Sequence, residues 1–474
     1  MLKNLIKEGG IYTLATLLTK GISLLLVPFY TAYFNPSDYG ILAILTVFGT
    51  LFDSVISLQL NQGLGRYVAD DSTKEIEKKT IASTAIWTLV IIYSTVFVFL
   101  AAFPDGFIEI MSSDTRVPLD TFLLSAAAIC INGIFYILGI YKRFLRKTKA
   151  YSLFSFSHAI FNILGTFFFV LVLGYGINGI FLASLIVTPC IIFFQYLYLR
   201  KDILLTIDAA QLKKLLAFSV PLVPAAASYG LLQFTDRFFI KEYLTFSDLG
   251  IFDIGSKFAG LVSIIILGFS MAMAPLVYQK HGDEATKTEL GRIFKLFIAT
   301  GTLGVLIISL FSLETLMIFT NSKYYGAAAV MPIMYTNILV TGLAMFSPGL
   351  HIKKRTFLIA AIVITTATLN IAFNYYLIAT FKLVGAAVAT LTSVSINNLA
   401  LFYFSQKYYK IPVNYPKIIL VTGVFLTAMI AGNYLFPMLE LDFIKLVILK
   451  SGLIFSYALF LFRAKLFDFS SKSL

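Results

Sequence analysis

TDRFFIKEYLTFSDLGIFDIGSKFAGLV, residues Thr235 to Val262, decides how this chain is put together. It sets Asp236, Arg237, Asp253 and Lys257 into otherwise apolar sequence, where charge is expensive. Its second half also repeats an earlier stretch, 210 positions away. PSDYGILAILTVFGTLF (Pro36 to Phe52) lies over FSDLGIFDIGSKFAGLV (Phe246 to Val262) with seven identities in seventeen pairs. These are Ser37/Ser247, Asp38/Asp248, Gly40/Gly250, Ile41/Ile251, Ile44/Ile254, Phe48/Phe258 and Leu51/Leu261. A duplicated unit that keeps polar residues in apolar helices is the pattern of a transporter more than of an enzyme.

Composition fixes the solvent. The 474 residues are 59% hydrophobic and 13% charged, with mean hydropathy +0.88, which excludes an ordinary water-soluble protein. Apolar runs of ~20 residues, enough to cross about 30 Å of hydrocarbon, recur throughout. Fourteen spans are predicted: Ile11–Phe34, Ile41–Gly65, Ile81–Phe103, Thr121–Tyr141, Leu153–Leu173, Ile177–Leu199, Leu215–Ile240, Leu249–Tyr278, Phe294–Leu313, Ala328–Leu350, Thr356–Thr380, Val384–Phe404, Ile418–Phe436 and Phe443–Phe462. MLKNLIKEGG has a charged lead without a small-residue cleavage site behind it, so the first span is expected to be retained. Pro28, Pro221, Pro224 and Pro275 fall inside spans and are expected to kink them. Cys130 and Cys190 sit in apolar runs without metal-ligand spacing and read as small hydrophobes.

The net charge of +13 would suit nucleic acid, but its distribution argues otherwise. With the N-terminus inside, 28 of the 37 Lys and Arg fall in inside segments and five in outside loops. That asymmetry sets topology, with both termini cytoplasmic, and no nucleic-acid partner is expected. A second anchor of the repeat, Gly179, Ala183 and Leu185 against Gly385, Ala389 and Leu391, recurs at an offset of 206. The expected organisation is therefore all-α and membrane-integral. A six-helix lobe over 1–205 and a second over 206–410 are related by a pseudo-two-fold axis along the membrane normal. A further helix pair occupies 411–474.

Seven charges fall within spans: Lys20, Asp53, Asp236, Arg237, Asp253, Lys257 and Lys450. Facing lipid, each would cost roughly 2.5–3.5 kcal/mol, so they are expected to face a wet cavity or one another. Lys20 is nearly central in the first span, and Asp53 in the second is either its ion-pair partner or a second cavity group. Asp253 and Lys257, at i and i+4, share one helix face, as a neutralising pair or as substrate contacts. Asp236 and Arg237 point about 100° apart and serve either the cavity or the interface. His158, Asn162, Asn370 and Asn374 line the cavity or hydrogen-bond between helices. Arg66, in NQGLGRY, belongs to a cavity mouth or to the topology signal, and Lys450 reads as structural. No phosphate-binding glycine loop, Ser/His/Asp grouping, metal-ligand cluster or cofactor motif stands out, so no catalytic role is expected.

DYG at 38–40, TDRFFI at 235–240, MAMAP at 271–275, and NIAFNYYLI with GAAVAT at 370–378 and 385–390 resemble the polysaccharide repeat-unit (Wzx-type) flippases. These share a superfamily with multidrug and toxin extruders and lipid II flippases. The resemblance spans the chain. It implies a bacterial inner-membrane protein that moves an undecaprenyl-pyrophosphate-linked oligosaccharide, such as an O-antigen unit, from the cytoplasmic to the periplasmic leaflet by alternating access. It leaves room for H+ or Na+ as coupling ion and for polymerase and chain-length proteins as partners, and carries over no catalytic residue. A central Lys20 suits an anionic lipid pyrophosphate. A cation or drug extruder is the alternative, but it would call for an acidic residue in Ile11–Phe34, which has none. A membrane glycosyltransferase or polymerase would call for a large outer loop or Asp-x-Asp.

Overall fold

The computed structural model describes residues 26–69, 73–279, 284–353 and 355–466. Among them no strand occurs, and eleven helices are long and apolar enough to cross a membrane, twelve with one bent pair. The chain divides by packing into two units, Met1–Gly250 and Ile251–Leu474.

The first unit contains α1 (Val27–Tyr33), α2 (Pro36–Ile56), α3 (Leu60–Val68), α4 (Glu75–Ala102), α5 (Pro104–Met111), α6 (Leu119–Phe144), α7 (Thr148–Phe167), α8 (Asn178–Leu199), α9 (Ala209–Ser219) and α10 (Val223–Tyr243). α11 (Phe246–Ala259) begins in it. The predicted second span is not one helix to Gly65. It breaks after Ile56, where Leu58 and Gln59 both take left-handed φ values of 47° and 52°. Two such non-glycine residues in succession are costly. The Gln59 side chain offsets part of that by donating to the Ser54 carbonyl at 3.0 Å. Beyond the break, α3 is amphipathic and buries Leu60, Leu64 and Val68, one turn apart, with Ile81 of α4, Tyr141 of α6 and Leu215 of α9.

Three of the prolines expected to kink spans sit where a helix loses nothing by them. Pro28 lies in the first turn of α1 and Pro224 in that of α10, while Pro221 lies in the 3-10 turn Val220–Leu222 that separates α9 from α10. The first N–H groups of a helix have no intrahelical acceptor, so a missing one is not felt there.

The second unit carries the rest of α11, then α12 (Val262–Gln279), α13 (Glu284–Leu310), α14 (Ser312–Phe319), α15 (Met331–Gly342), α16 (Pro348–Ile352), α17 (Thr356–Tyr408), α18 (Tyr415–Ile430) and α19 (Phe443–Arg463). The predicted eighth span is interrupted at Gly260–Leu261, between α11 and α12. The tenth opens on a bend of 52° between a 3-10 segment, Ser322–Ala329, and the helical stretch Met331–Phe346 that makes up most of it. α17 has 53 residues, ~80 Å if straight, against about 30 Å of hydrocarbon. It turns back at Lys382 (φ 54°, ψ −132°), between the predicted eleventh and twelfth spans. Gly385 shows the reversal: a Cβ there would lie 1.9 Å from the Leu377 carbonyl oxygen, eight residues earlier. Gly179, its counterpart in the repeat, packs the same way on Phe169 and Val170.

Candidate functional site

The repeated Ser-Asp-x-Gly segments acquire a physical meaning at one end of the first unit. Asp38 is the third residue of α2 and its carboxylate accepts the Asn35 backbone N–H at 3.3 Å, closing a capping box. Asp248 does the same for α11. It accepts from the Thr245 N–H at 3.2 Å and from the Thr245 hydroxyl at 2.8 Å, and its own N–H donates to that hydroxyl at 3.2 Å. Two residues on, the glycines let the two helix starts touch. A Cβ on Gly40 would lie 2.0 Å from the Phe246 carbonyl oxygen, and one on Gly250 would lie 1.9 Å from that of Pro36. Phe246 and Pro36 are themselves counterparts at the offset of 210, so the contact is reciprocal. Any side chain at either glycine must push the backbones apart.

The loop after α5 ties down the same place. Asp114 accepts the Phe246 N–H at 3.1 Å, the Ser113 hydroxyl donates to the Lys241 carbonyl at 2.5 Å, and Lys241 Nζ donates to the Ser112 carbonyl at 2.9 Å. Lys241, counted in the sequence as a loop cation, is the buried last turn of α10.

The charges singled out from the sequence are distributed as follows. Lys20 lies outside the described residues. Asp53 accepts a short hydrogen bond from the Tyr93 hydroxyl of α4. Beside it is a cavity of about 10 Å3 lined by Phe48, Phe52, Phe122 and Cys130, room for about one water. Asp236 and Arg237 are buried in α10, with Arg237 Nη1 donating to the Gln233 carbonyl at 3.4 Å. Asp253 is buried and Lys257 half-buried, one turn apart on α11. Arg66 is exposed at the end of α3, past the break. Lys450 of α19 forms a buried ion pair with Glu314 of α14, which fastens the last helix to the second unit.

The polar residues His158 and Asn162 are joined in a chain that crosses three helices. Asn132 of α6 donates to Ser184 Oγ of α8 at 2.9 Å, Ser184 and Thr188 hydroxyls meet at 3.3 Å, and Thr188 Oγ1 lies 3.0 Å from His158 Nε2 of α7. Asn162 Nδ2 is 3.3 Å from that same nitrogen, and the imidazole stacks on Phe135 at 4.2 Å. In the second unit Asn374 donates to Asn370 at 3.1 Å, both fully buried in α17, and Thr366 donates to Asn397 at 3.2 Å. Sequence reasoning missed Asn132, Ser184 and Thr188. A mid-span Asn132 was a visible signal, but hydroxyls in apolar helices are too common to single out.

Lys142 was also missed: counted as an inside-loop cation, it is the fully buried last turn of α6. Its ammonium lies 4.5 Å above the Phe154 ring and has no hydrogen-bond partner among the described residues. In the loop after α8, Asp202 takes Lys147 at 2.7 Å and Lys79 at 3.5 Å. Partial burial pushes its carboxyl up, but the two ammonium groups outweigh that and hold it below the usual range. Among the described residues no group of three or more His, Cys, Asp and Glu side chains is placed to hold a metal. What the arrangement offers is hydrogen bonding and charge inside apolar helices, together with one tightly closed helix crossing.

Comparison with known proteins agrees with this picture. Residues 5–281 match the model of the family described as polysaccharide biosynthesis protein. Over 284 residues the chain is 26% identical to Lsg locus putative protein 1 of Haemophilus influenzae, covering 58% of this chain and spanning 66% of that relative's length. Its fold is that of the lipid II flippase MurJ in an inward closed conformation (TM-score 0.73, 16% identity, 95% of this chain and 98% of that one). It is also that of a multidrug resistance MATE family transporter of the MOP superfamily in an inward-facing conformation (TM-score 0.70, 14% identity, 82% and 94%).

Proposed function

The chain belongs to the polysaccharide biosynthesis protein family and is a multi-pass membrane transporter by fold, and from that premise we propose that it is a flippase for undecaprenyl-pyrophosphate-linked oligosaccharides. It carries them from the cytoplasmic to the periplasmic leaflet of a bacterial inner membrane by alternating access, with both termini cytoplasmic and H+ or Na+ as coupling ion. The observation that carries the reading is the extent of the structural likeness. The lipid II flippase covers 95% of this chain, whereas the multidrug transporter covers 82%. The excess favours a lipid-linked cargo, and the buried Lys450–Glu314 pair holds the last helix as an integral part of the protein.

In this reading the transport machinery is two six-helix lobes, 1–205 and 206–410, with the pair 411–474 beside them. Lys20, Lys257 and Arg237 supply positive charge for the pyrophosphate. Asp53, Asp236 and Asp253 balance it or carry the coupling ion, and Arg66 meets the substrate at the entrance. The polar groups His158, Asn162, Asn370 and Asn374 support a hydrated path for the sugars. The Gly40–Gly250 crossing serves as the outer gate, parting when the path opens to the periplasm. No step requires a covalent intermediate, in keeping with a non-enzymatic transporter.

The test is complementation of a flippase-deficient strain by Lys20→Arg, Lys20→Ala, Lys20→Glu and Lys20→Ala/Asp53→Ala, at matched membrane levels. Surface polysaccharide is expected to persist in part with Arg and to vanish with Ala and Glu, with lipid-linked units left in the inner leaflet. Normal polysaccharide from Lys20→Glu contradicts an anion site and moves the reading to an extruder. Recovery in the double variant reduces Lys20 to a partner of Asp53.

A further inference from the structure

A second cavity, of about 340 Å3, lies wholly in the second unit and uses none of the residues assigned above. Its wall combines the start of α13, the link between α17 and α18, the first turn of α18 and the segment after α19. Lys295, Lys410 and Lys417 are among its described lining residues, which include no carboxylate. The remaining wall is largely apolar, with Phe294, Ile411 and Ile418 prominent.

The wall is built rather than incidental. The Gln406 side chain grips the link at both ends of one peptide residue: Ile411 N–H donates to its Oε1 at 2.8 Å, and its Nε2 donates to the Ile411 carbonyl at 3.2 Å. Asn414 caps α18 by accepting the Lys417 N–H at 3.2 Å. Lys295 is 9% exposed, so at least one of the three ammonium-bearing chains runs through the interior. Lys410 and Lys417, set on one concave and partly apolar surface, focus positive potential there, which an anion relieves. The volume suits a small-molecule ligand.

The surroundings say what kind of anion. The cavity sits at the ends of four helices that cross or flank the membrane, and Ile419 and Leu420, next along α18, are left exposed as an apolar strip. A ligand that puts a phosphate among the lysines and hydrocarbon along α18 satisfies both surfaces. We propose that this cavity binds the phosphate headgroup of an anionic membrane lipid, the charge pattern by which basic pockets between membrane helices hold such headgroups. Lys410 and Lys417 are the contacts to the phosphate. The orientation proposed above places the site in the cytoplasmic leaflet, but binding itself depends on neither orientation nor transport.

Native mass spectrometry of the purified full-length chain in detergent tests this. The probes are phosphatidylglycerol, phosphatidylcholine and undecaprenyl pyrophosphate, with inorganic phosphate as competitor. The wild-type chain is expected to retain one phosphatidylglycerol, with phosphatidylcholine retained at least tenfold less. Lys410→Gln/Lys417→Gln is expected to lose at least tenfold in retention at an unchanged melting temperature. Lys407→Gln, whose ammonium lies over the Tyr403 ring outside the cavity, is expected to behave as wild type. Retention of the diphosphate lipid in place of phosphatidylglycerol, with the same loss in the double variant, supports the site and names the transported lipid as its source. Equal retention of phosphatidylcholine, wild-type retention by the double variant, or displacement by equimolar inorganic phosphate overturns the lipid assignment.

Discussion

The two copies of the repeated segment, Pro36–Phe52 and Phe246–Val262, share their packing and differ in their chemistry. Both begin with an aspartate that caps the helix from its third position, and both place a glycine against the other's carbonyl. Beyond that they diverge. The second copy carries Asp253 and Lys257 where the first has Ala43 and Val47, and the first reaches its only acid in the helix interior ten residues later, at Asp53. Their breaks differ too, at Gly260–Leu261 in one and at Leu58–Gln59 in the other, which are not equivalent positions. What the two copies share is the crossing. Where they differ is the helix interior, which carries charge in the second copy.

The largest effect is expected at the crossing. Gly40→Val and Gly250→Val must each separate backbones that now meet carbonyl to Cα, and overpacking of this kind costs ~1–3 kcal/mol or more. Each variant alone is expected to abolish complementation. Because both act on one contact, melting temperatures should show the double variant well short of additive. Additive losses would show that the two glycines act independently and would break the comparison.

Next come the charges buried in helices. Removing one partner of the buried Lys450–Glu314 pair, as Lys450→Met, is expected to cost ~3–5 kcal/mol by leaving a buried charge, and Lys450→Met/Glu314→Leu to recover most of it. Asp253→Asn and Lys257→Met are each expected to stop transport with little change in melting temperature. If the double variant Asp253→Asn/Lys257→Met regains transport, these residues are a neutralising pair like Lys450–Glu314. If it stays as inactive as the worse single variant, they act on the cargo.

The smallest effect concerns Asp202. Its depressed pKa stabilises the fold above the ordinary carboxylate value, ~3.9, and that contribution is lost as pH falls through the folded-state value. Asp202→Asn is expected to cost less than ~1 kcal/mol at neutral pH, since the loop is solvent-accessible, and to flatten the loss of stability on acidification. An unchanged acid profile would remove the Lys147 and Lys79 contacts from the account.

The all-helical, membrane-crossing fold was legible in the sequence because hydrocarbon admits few structures, and long apolar runs are a strong, additive signal. The reciprocal glycines were legible as a repeat, though not as a contact. The break at Leu58–Gln59 was not legible, since neither residue is a glycine or proline and nothing in their types calls for left-handed geometry. Lys142 was misplaced for a related reason. Counting cations by loop assumes that a lysine near a helix end reaches water, whereas this one turns onto Phe154. The chain from Asn132 to Asn162 depends on which helix faces meet, and that is set by α6, α7 and α8 together rather than by any one of them.

The central proposal is that the shared crossing opens and closes during transport while the charges of the second copy meet the cargo. It is tested most directly by fastening the crossing shut. In a chain with Cys130→Ser and Cys190→Ser, cysteines placed by Ser113→Cys and Lys241→Cys sit where a hydroxyl now meets a carbonyl, and a short reducible crosslinker joins them. Proteoliposomes holding this variant should translocate the lipid-linked oligosaccharide before crosslinking, stop at least tenfold when crosslinked, and recover on reduction. Translocation at an undiminished rate with the crosslink in place would contradict the account.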